Sequence, residues 1–331
     1  MSLEIPQQMQ VVEIGAPGGP EVLRLATRPV PQPQAGEVLI KVAAAGVNGP
    51  DLVQRKGLYP PPAGASDLLG LEIAGTVVAA GDQVRRWSAG DQLTALTNGG
   101  GYAEYCAVDA RHCLPIPRGI ALRDAASLPE TFFTVWSNIF MGAGLAAGET
   151  LLVHGGAGGI GTTAIQLGKA CGAKVVATDH PEARCKICRD LGADRVIDYQ
   201  HEDYVEIMRQ EGGANVILDI VGGPNIERNF KAATHDARIV QLAFALGSKV
   251  ELNVMPIMLK RLTYTGSTLR SRSAAFKAKI AEQLEAKVWP LIESGRIKSV
   301  VNAAFPLAEA ARAHALMESS THLGKIVLTV A

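Results

Sequence analysis

Apolar and polar residues are arranged in two different styles along the chain. Up to about residue 125 the apolar runs are short, as at 38–42 (Val-Leu-Ile-Lys-Val) and 75–78 (Gly-Thr-Val-Val), and Gly, Pro and Asp bound them. That punctuation predicts strands. Pro29, Pro31 and Pro33 predict an extended, irregular connection, and residues 60–64 a rigid loop. The style changes near Pro129. Residues 151–154 predict a buried strand that runs into glycines, after which Ile160, Ala164, Leu167 and Cys171 recur at helical spacing. A strand at 174–178, a helix around 183–191 and strands at 195–197, 216–219 and 238–242 continue the series. Such alternation implies βαβ units and a parallel sheet. In the tail, 274–294 predicts a long helix that Pro290 ends or kinks, 306–318 a second helix, and 325–329 a last strand. A parallel sheet flanked by two unlike segments predicts one domain inserted into another.

Composition narrows the classes. The chain has 331 residues, with 32 basic side chains against 32 acidic ones, 47% hydrophobic and 19% charged residues. At roughly 150 residues per domain this suggests about two domains, with enough apolar material for sizeable cores. Zero net charge gives no basic footprint for nucleic acid, and no apolar run approaches a membrane span. The opening residues 1–6 lack the basic region and apolar run of a secretory signal. With five cysteines, an odd number without a dense framework, a reduced, cytoplasmic protein is expected.

The strongest chemical signal is the segment His154-Gly155-Gly156-Ala157-Gly158-Gly159-Ile160-Gly161, which follows an apolar strand and opens a helix. Gly155, Gly158, Gly159, Ile160 and Gly161 are the expected dinucleotide contacts: missing side chains admit a pyrophosphate, the helix start offers N–H groups, and Gly161 permits close helix–strand packing. Asp179 ends the second strand 18 residues after Gly161, near the offset at which an acid receives the adenosine ribose in an NAD site. Arg184, just beyond, can pair with the 2′-phosphate of NADPH, a charge-assisted contact of roughly 1.5–3 kcal/mol. The sequence leaves both orientations open. Asp179 can also cap the next helix, with Arg184 solvated. His154, at the end of a buried strand, reads as a structural histidine, and Cys185–Cys188, a CxxC spacing without supporting ligands, as ordinary helix positions.

Three segments carry a resemblance: 45–51 (Ala-Gly-Val-Asn-Gly-Pro-Asp), 70–75 (Gly-Leu-Glu-Ile-Ala-Gly), and the glycine turn with 162–167. Together they resemble the medium-chain dehydrogenase/reductase superfamily. Residues 128–136 and 266–272 are similar to its zinc-free NADPH:quinone oxidoreductases. The resemblance implies an α/β fold. A GroES-like β-rich catalytic domain (1–125 and 270–331) would surround a Rossmann NAD(P)-binding domain with a doubly wound parallel sheet (126–269), in a homodimer joined edge to edge. Zinc-dependent alcohol dehydrogenases of the superfamily place Cys where this chain has Asn48 and His where it has Leu71. Only Cys106 and Cys113 lie where four cysteines hold a structural zinc. No metal site is therefore expected.

Without zinc, the Lewis acid that activates alcohols is missing, whereas a quinone takes hydride readily because its reduced form is aromatic. The resemblance puts the nicotinamide in the cleft between the domains, near Asn48, Tyr59 and Thr134. Asn48 would hydrogen-bond the acceptor or cofactor, and Tyr59 would stack on a flat acceptor or donate a proton. Tyr199 matches a tyrosine near the adenosine phosphate. Leu242 and Phe244 match a loop touching the nicotinamide, and Ser267, Leu269 and Lys325 lie in cofactor-contact stretches. The expectation is an NADPH-dependent reductase of a small quinone or activated carbonyl acceptor, with NADH as the other cofactor. Its competitors are an enoyl or alkenal reductase and a catalytically weak nucleotide-binding redox sensor.

Overall fold

The computed structural model describes residues 5–330; residues 1–4, part of the stretch read for a signal sequence, and residue 331 lie outside it. The chain forms two compact units. One holds the chain up to Phe133, Arg270–Gly295 and the stretch from Ser299 on; the other holds Thr134–Leu269 with Arg296–Lys298.

The first unit is built on a seven-stranded sheet. Its order is Val301–Pro306, Lys325–Thr329, Glu37–Val47, Glu72–Ala80, Gln92–Leu96, Cys113–Pro115, with Tyr105–Asp109 also paired to Glu37–Val47. Every pairing is antiparallel except that of Val301–Pro306 with Lys325–Thr329. A separate hairpin pairs Gln8–Ile14 with Leu23–Pro29. Val38, Ile40, Val42, Ile73, Val77 and Leu93 are each at most 2% exposed and make the core. Burying each contributes roughly 1.5–3 kcal/mol.

The second unit carries a six-stranded, wholly parallel sheet ordered Arg195–Asp198, Lys174–Asp179, Thr150–His154, Ala214–Asp219, Ala233–Gln241, Thr263–Gly266. Numbered along the chain within this sheet the order is 3-2-1-4-5-6, the doubly wound dinucleotide-binding arrangement. Leu151, Leu152, Val153, Val175, Val176, Ile217 and Leu218 are fully buried, as expected of strands covered on both faces.

The tail differs from the expected pattern in two places, and four elements before it were not foreseen. The helix foreseen over 274–294 is two, Ala274–Lys287 and Trp289–Glu293. Pro290 lacks an N–H and sits in the first turn of the second helix, which it starts rather than kinks. Residues 301–306 are a strand, and the following α-helix begins only at Ala310, because Pro306 is extended (φ −55°, ψ 148°). The edge strand Thr263–Gly266 and the helices Tyr204–Gln210, Asn225–Ala232 and Met255–Lys260 had no counterpart in the pattern.

Candidate functional site

Strand Thr150–His154 lies where the order of the parallel sheet reverses, and ligands of open parallel sheets bind beyond the carboxyl ends of the strands at that point. The turn there is tightly fastened. Gly155 takes φ +71°, and the N–H groups of Gly155 and Gly156 donate to Thr178 O (3.0 and 3.1 Å). Ala157 N–H donates to Asp179 Oδ2 (2.7 Å). Gly158 caps the helix Gly159–Ala170. The helical ladder starts with Thr162 N–H to Gly158 O (2.8 Å), so the N–H groups of Gly159, Ile160 and Gly161 precede it at the open amino end. A Cβ on Gly161 would lie 2.6 Å from Gly156 Cα, so only glycine lets the helix begin so close to the turn. The bare backbone and the positive end of the helix dipole suit a diphosphate.

Asp179 is 3% exposed and fully engaged. Its Oδ1 accepts from His180 N–H (2.8 Å) and Arg184 Nε (2.6 Å), and its Oδ2 accepts from Ala157 N–H and from Arg184 Nη2 (3.3 Å). The following helix, Glu182–Asp190, is capped by Pro181, so Asp179 is no helix cap, and Arg184, with a side chain only 13% exposed, is no solvated residue. The carboxylate instead ties the glycine turn to Arg184, which neutralises it. Cys185 donates to Asp179 O (3.3 Å), and Cys188 packs beneath Gly156. Burial pushes the Cys188 thiol up to about 12. The CxxC pair therefore belongs to the packing under the turn.

The remaining expected residues of this unit fall into two places. Tyr199, half exposed, follows strand Arg195–Asp198 with its ring 5.8 Å from that of His180. Thr134 and Ser267 meet through Asn138: Asn138 Nδ2 donates to Thr134 O (2.8 Å), and Ser267 Oγ donates to Asn138 Oδ1 (2.7 Å). Leu242 N–H donates to Asp219 O (2.8 Å). Phe244 is 46% exposed, not core, and Leu269 is half-buried. His154 is indeed structural, with Nδ1 on Thr178 Oγ1 (2.9 Å) and Nε2 on Asn229 Oδ1 (2.8 Å). Asn229 in turn donates to Asp219 Oδ2 (2.9 Å), whose Oδ1 accepts from Val221 and Gly222 N–H. Asp219 thus fixes the loop after its strand, a role with no motif to announce it.

In the first unit, Asn48 and Lys325 meet over a residue that the sequence reading passed by. Lys325 Nζ donates to Asn48 Oδ1 and to Val47 O (3.2 Å) and pairs with Glu72 Oε1 (2.6 Å). Asn48 Nδ2 also donates to Glu72 Oε1 (2.9 Å), while Glu72 Oε2 accepts from Glu130 N–H (2.8 Å). All three side chains are at most 5% exposed. The glycine at 46 makes room, since a Cβ there would stand 2.7 Å from Glu72 Cγ. The cluster continues inward. Asp51 accepts from Asn48 N–H (2.9 Å) and Gly70 N–H (3.0 Å), and burial raises its carboxyl to about 6. Tyr102 Oη lies 3.5 Å from Asp51 Oδ2 and 3.0 Å from His314 Nε2; His314 Nδ1 contacts Arg55 (3.1 Å), which pairs with Glu318 (2.5 Å). Burial, and then Arg55, lower His314 to about 3. Tyr59 is elsewhere in the unit: its ring lies 5.6 Å from the guanidinium of Arg270, which is held by Asn98 O and Gln54.

Two family models match the chain: an alcohol dehydrogenase GroES-like domain over residues 34–118 and a zinc-binding dehydrogenase domain over residues 159–286. Quinone oxidoreductase of Mus musculus is 31% identical over 328 residues, which is 97% of each chain. Among solved structures, Escherichia coli quinone oxidoreductase complexed with NADPH is 28% identical with a TM-score of 0.86, covering 97% of this chain and 99% of that one. CurK enoyl reductase is 25% identical with a TM-score of 0.87, covering 98% and 100%. The chain is an oxidoreductase and belongs to the quinone oxidoreductase family of the medium-chain dehydrogenase/reductase superfamily.

Proposed function

We propose that the chain is a zinc-independent, NADPH-dependent reductase of small quinones. The observation that carries this reading is the Asn48–Glu72–Lys325 cluster. Where zinc-dependent relatives have thiolate and imidazole, this chain has Asn48 and Leu71, and the oxygens of Val47, Asn48 and Glu72 are taken up by an ammonium group. Such a set suits a fixed polar anchor, not a soft divalent ion. Bound NADPH would supply the hydride, and the protein supplies binding and orientation.

Gly155, Gly158, Gly159, Ile160 and Gly161 are assigned to the diphosphate. Arg184 and Tyr199 are assigned to the adenosine end, where Asp179 serves as the brace of Arg184. Pairing with Arg184 removes the repulsion that a bare carboxylate would exert on a 2′-phosphate, which favours NADPH over NADH. Thr134, Leu242, Phe244, Ser267 and Leu269 are assigned to the nicotinamide half. Asn48 and Tyr59 are assigned to the acceptor, with Lys325 holding the Asn48 amide so that its oxygen is engaged.

The test is direct. NADPH oxidation with phenanthrenequinone is expected well above the uncatalysed rate, and none above it overturns the reading. Arg184→Ala is expected to raise KM for NADPH about tenfold or more and to leave KM for NADH within about twofold; equal effects remove the phosphate contact. The likeness to an enoyl reductase favours a second reading, reduction of an activated C=C. Higher kcat/KM on an alkenal than on any quinone would select it.

A homodimer joined at the edge of the parallel sheet forms part of the proposal. Val254, Met255, Met258, Leu259 and Tyr264, on and beside edge strand Thr263–Gly266, are 38–71% exposed, an apolar group that a partner edge would cover. No helix among the described residues is long and apolar enough to cross a membrane; a cytoplasmic setting forms part of the proposal.

A further inference from the structure

We propose that His180, Asp198 and His201 form a binding site for one divalent cation of the zinc, cobalt and nickel class. One ligand atom from each lies within 4.8 Å of the other two. His180 Nδ1 is 3.0 Å from Asp198 Oδ1 and 3.2 Å from Oδ2, and His201 Nε2 is 3.9 Å from Oδ2. A tetrahedral ion with bonds of about 2.0–2.1 Å needs ligand atoms roughly 3.3 Å apart. The His180–Asp198 pair already has that spacing. His201, 75% exposed at its side chain, has to swing in by about 1.5 Å or less to reach the same spacing from both partners.

The backbone fixes the three positions. Asp198 ends its strand in register with Asp179, the residue before His180. A turn closed by His201 N–H to Asp198 O (3.0 Å) brings His201 back over the carboxylate, and Gln200 N–H (3.0 Å) orients Asp198 Oδ1. Two imidazoles and one carboxylate select borderline transition cations over magnesium or calcium. The side chains of His180, Asp198 and His201 are 34%, 21% and 75% exposed, so water reaches the remaining coordination position. The site is separate from the zinc positions of the zinc-dependent relatives, which hold Asn48 and Leu71 here. Nor does it rest on the cofactor or acceptor proposed above.

Metal alone is the probe. The full-length protein, stripped with chelator, is titrated with Zn²⁺ by calorimetry and with Co²⁺ by visible absorption. One equivalent is expected to bind, without a sulfur-to-cobalt charge-transfer band. Affinity is expected to fall about tenfold or more in His201→Ala and in His180→Asn and to be unchanged in Cys171→Ser. The exposed His201→Ala change leaves the fold intact, as an unaltered melting temperature will verify. No binding, binding unaffected by both histidine changes, or binding lost with Cys171 overturns the site.

Discussion

Replacing Lys325 by methionine strands a carboxylate in the core of the first unit. Glu72 is 0% exposed, and without the ammonium at 2.6 Å it keeps only the donors of Asn48 and Glu130. Removing one partner of a buried ion pair costs about 3–5 kcal/mol, because the remaining charge stays desolvated. The two surviving hydrogen bonds put Lys325→Met toward the lower end of that range. Glu72→Gln is the mirror case, leaving an ammonium held by Asn48 Oδ1 and Val47 O, and a similar loss is expected. The double variant Lys325→Met/Glu72→Gln buries no charge and is expected to be more stable than either single one, with a coupling of about 2 kcal/mol or more. Urea unfolding followed by circular dichroism supplies the four free energies, and NADPH oxidation by phenanthrenequinone reports what each change does to turnover. If each single change costs less than about 1 kcal/mol, or if the double variant loses the sum of the two, the pair is not the buried, mutually dependent unit described here.

Gly161→Ala forces a Cβ against the backbone of Gly155 and Gly156 and is expected to lower the melting temperature and to raise the dissociation constant for NADPH, read by quenching of protein fluorescence, about tenfold or more; unchanged binding would remove the turn from the cofactor site. Met258→Glu puts a charge into the apolar edge and is expected to convert a dimer into monomer in analytical ultracentrifugation, and a wild-type monomer would sink the edge assignment. Acid stability carries a sign that separates two groups. His314, lowered from 6.5 to about 3, binds fewer protons folded than unfolded, so its contribution is present above pH 6.5 and is lost as pH falls toward 3. Asp51, raised from 3.8 to about 6, acts oppositely between pH 3.8 and 6. The stability deficit of His314→Asn is therefore expected to grow by about 3 kcal/mol from pH 4 to 6.5; a deficit independent of pH contradicts the buried neutral histidine.

What the sequence disclosed follows the range over which each constraint acts. The glycine turn was legible because its demands, a positive φ at Gly155 and no side chain at Gly161, are imposed within a few residues. The parallel strands were legible because burial on both faces leaves unbroken apolar runs such as 151–153. Thr263–Gly266 escaped because it is an edge strand whose residues are all exposed, so no apolar run marks it. Asp179 was found by its offset, but its partners were not. That the carboxylate closes the turn on Ala157 and braces Arg184 depends on strand Lys174–Asp179 lying beside Thr150–His154, a tertiary fact.

The first-unit cluster shows the same limit more sharply. Asn48 and Lys325 are 277 positions apart, and neither implies the other. Glu72 stands next to Leu71, whose failure to be a metal ligand drew the attention, yet Glu72 is what gives that failure a chemical consequence. A buried carboxylate must find donors; Glu72 has an ammonium, an amide and a backbone N–H. Where the zinc-dependent relatives have Cys and His, this chain has Asn48 and Leu71, beside the buried Lys325–Glu72 pair. The cluster couples three residues, so introducing cysteine at 48 and histidine at 71 alone is expected to leave metal affinity weak until Lys325 is also removed, since its ammonium holds the oxygens of Val47, Asn48 and Glu72.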